Sequence, residues 1–566
     1  MSTNGHYPQL DPLDWDTIQP HVDTLLAAEL DRASAVAWLQ RWSNLNAVMQ
    51  EAGARIYRAV TENTADEAAE QRFNRFVEVI MPQMRVAEQA LKQKLLAAAD
   101  LPSTDDTTLL MRRFRTEADI FRAENVAIES KLDLLGNQYN KIAGAMTIEW
   151  QGETITVPKA NSLLEEPDRT TRKAVWRRMM DCFLAERGSL NDLYLEMLPL
   201  RRQLAVNAGY DSYRDIRWLQ LARFDYTPED CFTFHDAIET EVVPLASQIY
   251  RDLQSRLGID AMRPWDVDAD PYGQPLHPFS DVAELETGAQ RIFDEVDPEL
   301  GGYFRTMSTG YLDLASRANK APGGYCNSFP VSGRPYIFMN AVGTHDNLTT
   351  LLHEGGHAFH FMESQRHQPL VWNQDGPMEF CEVASMSMEL LSAPYLARDK
   401  GGFYSDAEAR RAYADQLRKT VLFFPYMAVV DAFQHWVYAE APHSVTAADM
   451  DRRWRELVSR FMPGVNWDGL QTEMETGWHR KGHIFEAPFY YIEYGLAQIG
   501  ALQVWRNALT DQSGAVAAYR SALALGYTRP LPALFTAAGA RFAFDRATVG
   551  RLMALIQEQL AILDAQ

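Results

Sequence analysis

Apolar residues recur at helical spacing through most of the chain, and that period predicts a mainly α protein. Residues 64–98 are rich in Ala, Glu, Gln, Arg and Leu on this period, with Pro82 marking a kink or break. The segment TPEDCFTFHDAIETEVVPLASQIYRDL offers Thr227 as an N-cap and Pro228 at the first helical position. Another helix is predicted from Asp346, a candidate N-cap, through Leu348, Leu351, Leu352, Phe359 and Met362. Two stretches break the period. Residues 146–157, MTIEWQGETITV, alternate around a Gln-Gly pair and predict a hairpin. Residues 303–340 carry the short alternating segments YLDLA and PYIFMN around the turn-rich KAPGGYCNSFPVSGRP. A small sheet is thus expected directly before the helix at 346. No fixed-period repeat is present, which argues against a solenoid.

At 566 residues the chain exceeds what one small core needs, so at least two lobes are expected. We place a soft boundary near 150, giving an N-terminal helical lobe over 1–150 and a second region over 151–566. A formal charge of −22 argues against nucleic acid or an anionic membrane as partner. The N-terminus lacks a basic stretch followed by an apolar run, and no apolar run approaches the ~18 residues of a spanning helix. Four cysteines, Cys182, Cys231, Cys326 and Cys381, lie far apart with no CxxC pair. Reduced thiols in a cytoplasmic protein are the expectation.

The chemistry concentrates in LTTLLHEGGHAFHFMES, residues 348–364. At ~100° per residue His353 and His357 share one helix face, one turn apart, where two imidazoles can hold one ion. Glu354 points to the side of that face, placed for a general base rather than a ligand. His-Glu-x-x-His on a helix therefore reads as two zinc ligands and a base. A pair of buried, hydrogen-bonded histidines would give the same pattern. Gly355 and Gly356 tilt the balance: each costs a helix interior ~1 kcal/mol relative to Ala, so another segment must approach closely.

A catalytic zinc takes three protein ligands and an open position. His360, Glu363, His367, Glu379, Glu382 and Glu389 are the downstream candidates. The metzincin pattern fails, since His360 and Glu363 stand where it needs Gly and His. His360 is expected on the helix face rather than on the metal. In MEFCEVASMSMELLSAPYL, Glu379, Glu382 and Glu389 fall on one helical face with Val383 and Met386, unusual for a plain core stripe.

HEGGH followed by the Glu of FCEVAS resembles the zinc site of the thimet oligopeptidase and oligoendopeptidase F family. That resemblance implies His353, His357 and Glu382 as metal ligands, Glu354 as catalytic base and Glu389 as a group orienting an imidazole; the part of Glu379 is left open. Downstream, HIFEAPFYYIEY resembles the family's His followed by a Tyr-x-x-Tyr pair. It implies Tyr491 and Tyr494 as oxyanion donors or substrate binders, and His483 as a polarising or substrate-contacting residue, with His479 a lesser alternative. Phenols suit an oxyanion because they stay neutral near pH 7. NKAPGGYCNSFPVSGRPYIFMN is similar to the family's glycine-rich turn and edge strand, which can bind an extended peptide by strand addition. Tyr325 in that turn is a further substrate-contact candidate. RRQLAVNAGYDSYRD, DRTTRKAVW and LPALFTAAGARF extend the resemblance over residues 145–560.

The expectation is a two-lobed, mainly α metallopeptidase with a deep substrate channel and a small β-sheet next to the zinc helix. It would be a zinc-dependent oligoendopeptidase that cuts internal bonds of short peptides with one catalytic Zn²⁺. The alternative is a related metallocarboxypeptidase or dipeptidyl carboxypeptidase, which needs a positive group to anchor the substrate carboxylate. A catalytically silent zinc-containing peptide-binding protein is a third reading. Short peptides are the expected partners, with neither nucleic acid nor membrane among them, and the oligomeric state is open.

Overall fold

The helical period and the helices coincide over most of the chain. The structure, a computed structural model, describes residues 10–98, 105–317 and 319–565. The expected hairpin is strands β1 (Thr147–Trp150) and β2 (Glu153–Thr156), paired antiparallel. Gln151 and Gly152 between them have φ of 53° and 89°, the left-handed pair that two-residue hairpin turns require.

The second sheet precedes the HEGGH helix, as expected. It comprises β3 (Leu312–Ala315), β4 (Tyr325–Phe329) and β5 (Arg334–Ala341), in the order β3-β5-β4. β5 is parallel to β3 and antiparallel to β4, which leaves β4 with a free edge. PYIFMN does not alternate in burial. As the central strand β5 is covered on both faces, and Tyr336, Ile337, Phe338 and Met339 are all buried.

Six helices carry or support the residues of the site and the strand edge beside it. α1 (Ala35–Glu62) lies against β4, and its Thr61 hydroxyl meets the Tyr325 hydroxyl at 2.7 Å. α2 (Pro228–Ala237) opens with the expected Thr227 cap, closed reciprocally by Asp230. α3 (His345–His367) carries HEGGH. Its cap is Thr344, not Asp346: the Thr344 hydroxyl accepts from Asn347 N–H while the Asn347 side chain reaches back, a box that Asp346, two residues inside the helix, cannot form. α4 (Met378–Ser392) packs between α3 and α6 (Tyr491–Ala508), and α5 (Asp406–His435) packs on α6.

Pro82 does not end its helix. A π-turn at Phe76–Ile80 separates Glu67–Arg75 from Met81–Ala97 and shifts the hydrogen-bond register just where the proline lacks a donor. Selected buried residues, from Ile18 and Trp38 on to Leu110 and Phe114, build one apolar cluster, joined by Leu370. A far larger one runs from Ile120 to Leu560 and contains the walls of the site. No described helix is long and apolar enough to cross a membrane.

Candidate active site

Glycine is what lets α3 and α4 meet. A Cβ on Gly356 would stand 2.5 Å from the Ala384 carbonyl oxygen, and one on Gly355 would stand 2.6 Å from Phe293 Cζ. Backbone contact at Gly356 brings the HEGGH face against Glu382. His353 Nε2 lies 3.3 Å, and His357 Nε2 3.5 Å, from the same Glu382 Oε2. Each residue offers a ligand atom within 4.8 Å of the others.

This donor set fits a divalent cation such as zinc. Glu389 accepts from His353 Nδ1 at 2.7 Å, which leaves the Nε2 lone pair free to ligate. Tyr490 donates to Glu382 Oε1 at 2.7 Å, and Ser385 to Oε2 at 2.9 Å, so the carboxylate is fixed on both oxygens. Burial disfavours charge on the imidazoles, but the hydrogen bonds and negative charge of Glu382 and Glu389 outweigh it and raise His353 well above the ordinary histidine value. The same negative field attracts a metal ion. Glu354 is buried, its Oε2 has no hydrogen-bond partner, and burial raises its carboxyl.

A cavity of about 330 Å³ opens over these groups. Its walls include Gly324, Tyr325, Cys326 and Ser328 from the β4 edge, and His483, Tyr490 and Tyr494 from the opposite side. His483 Nε2 is 3.3 Å from the Tyr494 hydroxyl, and burial lowers this imidazole to about 4. Burial, with Glu382 nearby, also raises the Tyr494 phenol well above its ordinary value, so it stays a donor across the working pH range.

Tyr491, expected beside Tyr494, does not line this cavity. Its hydroxyl takes a hydrogen bond from Lys481 Nζ at 3.1 Å, and its ring packs on Phe423, Tyr426 and His483. Tyr490, one residue earlier, faces the cavity in its place. The phase is set by Phe489, held at φ 66° with its N–H on Gln434 Oε1 and its carbonyl taken by Arg223. Such a backbone costs ~1–3 kcal/mol and must be imposed by its surroundings. The only sequence signal for Tyr490 is the doubled Tyr itself.

The remaining candidates separate cleanly. Glu379 accepts from Tyr226 at 2.6 Å and sits near Arg223, away from the metal donors. His479 is buried against Asn191 and Trp478 rather than in the cavity. His360 lines the cavity wall without joining His353, His357 and Glu382. Tyr325 lies on the free edge strand, facing the cavity.

Group B oligopeptidase PepB of Streptococcus agalactiae is 24% identical over 357 residues, covering 61% of this chain and 55% of that protein. An oligoendopeptidase F homolog of Mycoplasma pneumoniae is 21% identical over 434 residues, covering 70% and 67% respectively. The match thus spans little more than half the length of PepB. The solved structure of PZ peptidase A with inhibitor 2 superposes with a TM-score of 0.92 at 25% identity, covering 98% of this chain and 99% of that one. The model of Peptidase family M3 matches residues 162–553, well over half of the sequence. The chain therefore belongs to peptidase family M3, an assignment that implies a zinc-dependent active site.

Proposed function

We propose that the protein is a zinc-dependent oligoendopeptidase of the cytoplasm, with His353, His357 and Glu382 as the metal ligands. The convergence of two imidazole nitrogens and one carboxylate oxygen beneath a cavity walled by a free strand edge carries this reading. Zinc, when bound, supplies Lewis acidity that polarises the scissile carbonyl and eases deprotonation of the attacking water. Glu354 Oε2, unpartnered beside the ligands, takes that proton and returns it to the leaving amine. The Tyr494 hydroxyl donates to the developing oxyanion, and His483 holds that hydroxyl in place. Tyr490 steadies Glu382, and Tyr491 backs the His483 ring. The β4 edge pairs with substrate backbone, so side chains around the cut are read loosely.

The described residues lining the cavity include no Lys or Arg that could seize a substrate carboxylate, which favours internal cleavage over a carboxypeptidase. A channel between an N-terminal lobe, ending near residue 150, and the region after it would restrict substrates to short peptides. The test is mass spectrometry of a defined peptide mixture incubated with wild type, with wild type plus chelator, and with Glu354→Gln. Internal cuts that vanish in both controls, with zinc retained by Glu354→Gln, are the expected result. Cuts confined to the C-terminus, or none at all, would overturn the reading.

A further inference from the structure

Four ligand-type side chains meet in the core away from the catalytic cavity, and no step of peptide hydrolysis uses them. α2 carries Cys231 and His235, four residues apart on one face, and α5 carries Asp431 and His435 at the same spacing. All four are at most 3% exposed. None lines the catalytic cavity. Cys231, Asp431 and His435 each place a ligand atom within 4.8 Å of the others, and His235 Nε2 lies 2.9 Å from Asp431 Oδ2.

As a hydrogen-bonded cluster the arrangement is incomplete. Asp431 Oδ1 and both ring nitrogens of His435 have no hydrogen-bond partner, although Nε2 comes to 3.3 Å from Asp431 Oδ2. Trp218, Phe232 and Phe489 surround the His435 ring and supply no acceptor in place of water. Orphaned buried polar atoms cost ~1–3 kcal/mol each, and a carboxylate shut in the core costs more.

We propose that Cys231, Asp431 and His435 form a second, structural site for a zinc-class divalent cation, with His235 securing the Asp431 carboxylate. Helix bundles build internal metal sites from inward-facing side chains on facing helices, as Cys231 on α2 and Asp431 and His435 on α5 do here. On binding, the Cys231 S–H bond breaks, its proton passes to solvent, and the Sγ–metal bond forms. Thiolate and carboxylate together then neutralise the two positive charges of the ion. A mixed sulfur, nitrogen and oxygen set of this kind favours zinc over magnesium or calcium. The ion would pin α2 to the end of α5, next to the Gln434 amide that holds Phe489 and so the phase of α6.

The full-length protein, produced with zinc and gel-filtered, should hold two zinc ions per chain by plasma emission. Cys231→Ser should hold one and retain its active-site ion. Because that variant can fail to fold, a second arm uses Glu382→Ala combined with Cys182→Ser, Cys326→Ser and Cys381→Ser, grown on cobalt. Cys231 is then the one thiol left of the four in the sequence, so a sulfur-to-cobalt charge-transfer band must come from the inferred site. Such a band, with one cobalt per chain, is expected. Its absence, or a single zinc in wild type together with none in Glu382→Ala, would overturn the proposal. The band does not depend on the catalytic ligand assignment, so failure of one reading is distinguishable from failure of the other.

Discussion

Tyr494 and Tyr490 sit four residues apart on one helix end, yet their hydroxyls have different work. Tyr494 lines the cavity and is proposed to donate to the oxyanion, so Tyr494→Phe should lower kcat by about 10²–10³ with little change in KM or zinc content. Tyr490 donates to Glu382, a proposed ligand, so Tyr490→Phe should instead weaken zinc affinity by about 10–100-fold, measured by competition with a chelator. Glu493, on the same helix, is fully buried and shares Arg223 with Glu379, two carboxylates to one guanidinium. Burial foremost, opposed by Arg223 and reinforced by Glu379, raises Glu493 from 4.5 to about 8. Between those values the folded chain holds a proton that the unfolded chain has lost, so stability falls as pH rises through this window. Glu493→Gln, which keeps an acceptor for Arg223, should flatten that fall when denaturation midpoints at acidic and alkaline pH are compared.

Among the elements, the pair α3 and α4 carries the proposed metal ligands, and their contact rests on Gly356. Gly356→Ala puts a methyl group against the Ala384 carbonyl and must push the helices apart. Overpacking of this kind costs ~1–3 kcal/mol. Because the ligands are divided between the two helices, the variant should lose zinc affinity as well as stability, which denaturant titration with and without added zinc would separate. The HEGGH spacing, the cost of its glycines and the acidic face of α4 were legible in the sequence because helix geometry fixes them locally. Glu382 was singled out from six candidates by resemblance, since a contact between two helices leaves no local trace. Tyr490 was missed for a related reason. The phase of α6 follows from the left-handed Phe489, which Gln434 and Arg223 impose from other elements.

Across the molecule, the N-terminal layer supports the strand edge that faces the catalytic cavity. Glu51 on α1 accepts the N–H groups of Val331 and Ser332 at the β4–β5 turn, each at 2.8 Å. Tyr325 meets Thr61, and Tyr336 donates to Glu62 at 2.7 Å. Glu51→Ala would leave two N–H donors without their acceptor and loosen β4. The expected outcome is a rise in KM for peptides longer than the cavity, with zinc content unchanged and kcat affected least. Steady-state kinetics over a peptide length series would check it. No sequence pattern near residue 51 signals this link, because its partner lies 280 residues along the chain.

The sequence by itself determined the helical class, the two small sheets and the HEGGH face. Each follows from periodicity, turn chemistry or a short motif, and those act within a few residues. Glu389 and Tyr494 were picked out by resemblance to a family, not by local pattern. Tertiary structure alone decided that Thr344 rather than Asp346 caps the metal helix, that Tyr490 rather than Tyr491 faces the metal donors, and that Cys231, His235, Asp431 and His435 meet in the core. Those outcomes depend on which helices touch and on their rotation, set by packing between segments far apart in the chain.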